Sequence, residues 1–97
     1  MTDEITENAI IDNKPHHRYE MHVDSETAYI AYSRAPGTIT FIHTIVPAAL
    51  SGRGIGSKMA KFVLDEAREN GEKVIPQCPF VAAYIKKHPE YSELVLS

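Results

Sequence analysis

Three glycines at alternate positions, in Ser51-Gly52-Arg53-Gly54-Ile55-Gly56-Ser57, form the stretch of this sequence best suited to chemistry. Glycine reaches backbone conformations closed to other residues, so such a run bends sharply and can bring several amide N–H groups to bear on one point. A helix beginning there would add unpaired first-turn donors and a partial positive charge. Together these suit a phosphate or pyrophosphate, with Arg53, Lys58 and Lys61 carrying positive charge nearby. The same glycines would also serve a plain strand-to-helix turn, and spacing alone leaves both readings open. Rival phosphate loops fit poorly. A dinucleotide fingerprint needs a glycine where Met59 stands. A P-loop needs lysine before the hydroxyl residue, and here Ser57 precedes Lys58. A KH loop needs a glycine spacing absent from Gly52, Gly54 and Gly56.

Two further side chains invite a chemical reading. Cys78 precedes Pro79, and proline favours the first position of a helix. The thiol would then lie in the field of a helix N-terminus, which favours thiolate. Cys78 is read either as a nucleophile or as an inert buried residue beside Pro79-Phe80-Val81. His43 is expected to share an apolar strand face with Ile39, Phe41 and Ile45, as a structural histidine or as a general base. His16, His17, His22 and His88 make no metal-ligand pattern, and no metal site is expected.

The elements that must position these residues follow from periodicity. Residues 1–8 are polar and acidic and read as a disordered tail ahead of a single domain over 9–97. Ala9–Ile11 is a possible short strand before a break at Asp12–Pro15. Arg18–Val23 alternates apolar and polar residues, and after turn chemistry at Asp24–Glu26 a second strand runs over Thr27–Ser33. Thr38–Val46, rich in β-branched residues and apolar on both faces, reads as a central strand ended by Pro47. From Ile55 the positions of Met59, Phe62, Val63 and Ala67 follow helical spacing to a stop at Asn70-Gly71. A short strand over Lys73–Gln77, cut by Pro76, precedes a second helix over Phe80–Lys87. The fold class is α/β (α+β): an antiparallel meander leading into a right-handed βαβ unit with a parallel strand pair.

Composition narrows the function. A net charge of −3 without a polybasic run argues against nucleic acid. One cysteine cannot make an intrachain disulfide, which suits a reducing compartment. No basic, apolar leader opens the sequence, and no apolar stretch is of spanning length, so a cytoplasmic protein without membrane partners is expected.

Val46-Pro47 followed by Ser51-Gly52-Arg53-Gly54-Ile55-Gly56 resembles the acyl-CoA pyrophosphate loop of the GNAT N-acetyltransferases, Q/R-x-x-G-x-G/A, with Ser51 where that pattern has Gln or Arg. The stretch from His43 to Tyr91, with HT-V-P, G-x-G-I-G, P-x-C-P-F-V and Y-I-x-x-H-P-x-Y, is similar to the single-domain members of about a hundred residues. Asn13 and Arg18-Tyr19-Glu20 extend the likeness upstream.

The resemblance implies acetyl-CoA as co-substrate and an amine or lysine acceptor, with a monomer or weak dimer expected. It implies cofactor contacts from Ile45, Val46, Ser51, Gly52, Arg53, Gly54, Ile55, Gly56, Ser57 and Lys58. The strand pair should splay to admit the cofactor, where Pro76 cannot donate a ladder hydrogen bond. His43 or Cys78 would be base or nucleophile, and Tyr84 would protonate the departing thiolate unless it merely packs on Phe80. Elements that shape the acceptor pocket in longer members are missing or shortened. A non-catalytic CoA-binding or protein-interaction module is the alternative.

Overall fold

The computed structural model describes residues 9–96; the acidic tail expected over 1–8 lies outside them. Five strands, β1 (Ile10–Asn13), β2 (Arg18–Val23), β3 (Glu26–Ala35), β4 (Thr38–Ile45) and β5 (Lys73–Pro76), form one sheet in sequence order. The first three pairings are antiparallel and β4–β5 is parallel. Helix α1 (Ile55–Glu69) crosses from β4 to β5, and α2 (Pro79–Lys87) follows β5. A 3-10 helix over Pro89–Leu94 comes next, and Val95 bridges to Val74 on the outer edge of β5. The mixed sheet with two main helices is the α/β architecture that the sequence predicts.

Local chemistry explains the elements. Asp24 and Ser25, at φ 50° and 71°, make a two-residue turn with both central residues left-handed, the form that matches the twist of paired strands. Gly37, at φ 75°, turns β3 into β4. Strand β1 differs from expectation. It includes Asp12 and Asn13, which pair with Tyr19 and Arg18 in place of a break. Their polar side chains have buried work to do: Asp12 accepts from the Tyr32 hydroxyl, and the Asn13 amide donates to Glu20.

Both helices pack on one face of the sheet. Tyr19, Met21, Ile30, Ile39, Phe41 and Val74 from the strands meet Met59, Val63, Leu64, Val81 and Ile85 in one apolar cluster. The 3-10 helix is tied to α1 by the Tyr91 hydroxyl, which donates to Asp65 at 2.7 Å. Burial and that hydrogen bond push the Tyr91 hydroxyl up to about 12. The opposite face has no helix over it among the described residues, and it exposes Ile11, Ile45 and Ile75.

One charge is buried on that open face. Glu20 is 4% exposed and accepts from Arg18 Nε at 2.6 Å and Asn13 Nδ2 at 2.9 Å. Burial acts to raise its pKa, but the Arg18 and Asn13 hydrogen bonds outweigh it and hold the carboxyl below its ordinary 4.5. A depressed native pKa makes this stabilisation complete above the unfolded value and lost as pH falls through the native one. Glu20→Gln is expected to cost about 1.5–3 kcal/mol at pH 7, with the gap to wild type narrowing on acidification below 4.5 in pH-resolved denaturant melts. A gap that stays constant with pH would show that the charge is not what stabilises.

Candidate functional site

The glycine run lies between β4 and α1, after a short 3-10 turn over Ala48–Leu50. Leu50 N–H donates to Pro47 O and Ser51 N–H to Ala48 O; the next backbone bond is Lys58 N–H to Gly54 O. Between them, the amides from Gly52 to Ser57 have no backbone partner among the described residues. Gly52 and Gly54 adopt φ 82° and 73°, the region where a side chain costs about 1–2 kcal/mol, and a Cβ on either would meet only open space. Gly56 is different. It is helical, and a Cβ there would stand 2.8 Å from the Phe80 ring tip. Phe80 therefore leans over the mouth of α1. Val46, Leu50, the loop and Phe80 line an open groove of about 250 Å³, room for an anionic group rather than a whole nucleotide.

Cationic side chains are less concentrated than expected. Arg53 pairs with Asp24 of the β2–β3 turn at 3.0 Å, so an incoming anion would compete with that carboxylate. Lys58 lines a separate groove with Ile10, Lys61 and Phe62, and Lys61 is bonded to Asp65. The groove's positive character thus comes mainly from main-chain amides and the mouth of α1.

Strand β4 leaves its neighbour at the groove end. The parallel pairing stops at Phe41 and Pro76, and Cys78 N–H closes it by donating to Phe41 O at 2.8 Å. Residues Ile42–Ile45 continue with no strand on that side among the described residues. Backbone groups along this edge are open to a ligand lying alongside, as in strand addition.

His43 does not share the face of Ile39 and Phe41, contrary to the alternation read from the sequence. The β3–β4 register runs Tyr32↔Phe41 and then Ala31↔His43, so Ile42 is an unpaired extra residue. Such a bulge reverses the alternation beyond it. His43 and Ile45 turn to the open face, where the His43 ring stands edge-on to Tyr29 at 6.0 Å. Thr44 takes the inner position instead, and its Oγ1 lies 3.1 Å from Cys78 Sγ. Cys78 is 1% exposed and caps α2, its carbonyl accepting from Ala82 N–H. His43 and Cys78 therefore flank the strand gap from opposite faces.

Tyr84 is half-buried and stacks on His88 at 4.1 Å rather than on Phe80. With Ser57 and Phe80 it lines a small cavity between α2 and the mouth of α1, on the groove side of the molecule. Sequence reasoning missed Thr44 and Phe80. Nothing in a single sequence reveals the bulge that selects Thr44. A glycine inside the first turn of a helix, where glycine is unfavourable, is the signal that something packs closely there, and that something is Phe80.

Residues 18–94 match the family described as GCN5-related N-acetyl-transferase. The chain superposes with a TM-score of 0.73 on the NMR structure of a GCN5-like protein from Staphylococcus aureus, at 28% identity, covering 95% of this chain and 91% of that one. It is 36% identical over 52 residues to Protein NATD1 of Xenopus tropicalis, covering 54% of this chain. The matched stretch spans 48% of that relative's length.

Gly54→Ala is expected to cost about 1–2 kcal/mol through its positive φ alone. Gly56→Ala gains helix propensity of about 1 kcal/mol and displaces only the tip of the exposed Phe80 ring, so it should leave stability nearly unchanged. Denaturant melts of the two variants check this ordering; equal losses would contradict the loop conformation.

Proposed function

The chain belongs to the GCN5-related N-acetyltransferase family, and from that membership we propose that it moves an acetyl group from acetyl-CoA to an amine. The observation that carries the reading is the run of amides from Gly52 to Ser57 without backbone partners, joined to a strand that outruns its parallel neighbour. The amides and the α1 mouth would hold the pyrophosphate. From Val46 back to Ile42 the open edge of β4 spans about 13 Å at about 3.3 Å per residue, a path for the pantetheine arm toward the gap beside Pro76. Backbone N–H groups there would polarise the thioester carbonyl.

Cofactor and acceptor would approach the gap from opposite faces of the sheet, which suits a reaction with two substrates. The acceptor amine would arrive on the open face and pass its proton to His43 as it attacks the carbonyl carbon. The C–N bond forms, the C–S bond breaks, and the thiolate takes a proton from the Tyr84 hydroxyl on the groove side. Cys78 is buried and bonded to Thr44. Both facts favour direct transfer over an acetyl-cysteine intermediate and give the thiol a packing role.

Calorimetry and a CoA-release assay test the proposal together. Acetyl-CoA should bind, and Gly54→Ala should weaken binding about tenfold or more while the domain remains folded. His43→Gln should lower kcat by a factor of about 10²–10⁴ without changing acetyl-CoA affinity. Rapid-quench intact-mass analysis should find no hydroxylamine-sensitive adduct on Cys78. Absence of binding at millimolar acetyl-CoA would overturn the reading; binding without CoA release to any amine would leave a non-catalytic module.

A further inference from the structure

Strand pairing lays out the open face in rows. Arg18, Ala31 and His43 are successive cross-strand partners, and Glu20, Tyr29 and Ile45 form the adjacent row. Arg18 and His43 thus stand two strand spacings apart, about 10 Å, with the small Ala31 between them and Tyr29 alongside. The Arg18 guanidinium lies 4.3 Å from the centre of the Tyr29 ring, and the same ring meets the His43 ring in a T-shaped contact, with centroids 6.0 Å apart.

The guanidinium is held in place from two directions. Its Nε donates to Glu20, a buried carboxylate that Asn13 supports in turn. The Tyr29 ring fixes its plane by cation–π contact. Among the described residues Nε is the one nitrogen of Arg18 in a hydrogen bond. The two terminal nitrogens, which can grip a carboxylate in bidentate fashion, have no partner among the described residues. An arginine whose orientation is set by a buried acid and an aromatic ring, with its fork free, is built to receive a planar anion.

We propose that Arg18 binds a carboxylate on the acceptor, so that the amine acetylated at His43 belongs to an amino acid or a molecule like one. The inference rests on the reading of His43 as the base and adds the substrate's second functional group. Arg18 would repel the second ammonium of a diamine or polyamine, and a simple alkylamine leaves the fork empty. Glu20 and Asn13 act here as positioning residues.

The test compares glycine, 4-aminobutanoate and 6-aminohexanoate with hexylamine, 1,6-diaminohexane and phosphoethanolamine in the CoA-release assay. The preferred amino acid should show a KM at least about tenfold below that of hexylamine. Arg18→Met should raise the KM for that amino acid about tenfold, with kcat, the hexylamine KM and acetyl-CoA affinity little changed. Arg18→Lys, which keeps the charge and loses the fork, should fall between and serves if the methionine variant does not fold. Equal KM values for amino acids and alkylamine, an Arg18→Met variant with unaltered KM, or a preference for phosphoethanolamine would each overturn the assignment. If acetyl-CoA binds but no amine of this set is acetylated, this inference fails while the cofactor reading stands; if acetyl-CoA does not bind, the cofactor reading fails and this inference with it.

Discussion

The parallel ladder between β4 and β5 ends at Phe41 and Pro76, and the rest of the site depends on where it stops. Lys73 N–H donates to Gly37 O while Val74 O accepts from Leu96 N–H, so Lys73, Ile75 and Gln77 turn their backbone groups toward β4 and Pro76 faces the outer edge. Gln77 N–H folds back onto Ile75 O, and Cys78 N–H makes the last tie, to Phe41 O. Beyond it β5 has already become the cap of α2, while β4 continues alone toward the glycine loop. The gap between them follows from the turn of Gln77 and Cys78 into α2, so it exists before any ligand arrives. A preformed gap spares a ligand the cost of prying a sheet apart.

The bulge at Ile42 decides what faces that gap. Without it, the even alternation of β4 would bury His43 beside Phe41 and turn Thr44 outward. With it, a titratable ring reaches the open face and a hydroxyl reaches the core, where Cys78 accepts or donates its hydrogen bond. The apolar core tolerates Thr44 because its hydroxyl is satisfied. One inserted residue therefore puts Thr44 on the helix side, with the loop amides and Tyr84, and His43 on the side without helices among the described residues.

The open face is not merely uncovered surface. Exposed isoleucines lie at its margins, but at its centre Asn13, Arg18 and Glu20 form a satisfied polar cluster against Tyr29. Burying a carboxylate is costly unless it is fully paired, and here the pairing also immobilises an arginine. A cluster of this kind spends stability on orientation, which is a common trade at binding sites. Arg18 and His43, on the strands that flank β3, both contact the Tyr29 ring, although 25 positions separate them in the chain.

Periodicity and turn chemistry were enough to read the strands from Arg18 onward, both helices and the parallel crossover, because each signal is local: alternation, β-branching, a glycine stop, a proline start. The glycine loop was legible for the same reason, since an absent Cβ is written in the residue type. What the sequence could not reveal is register. Whether Ile42 pairs or bulges depends on the neighbouring strand and on how Phe41, Thr44 and Cys78 fit beneath α2, and a one-residue shift exchanges the two faces of everything after it. So the presence of His43, Thr44 and Cys78 was determined by the chain alone, while the side of the sheet on which each one stands was decided only when the strands and helices packed together.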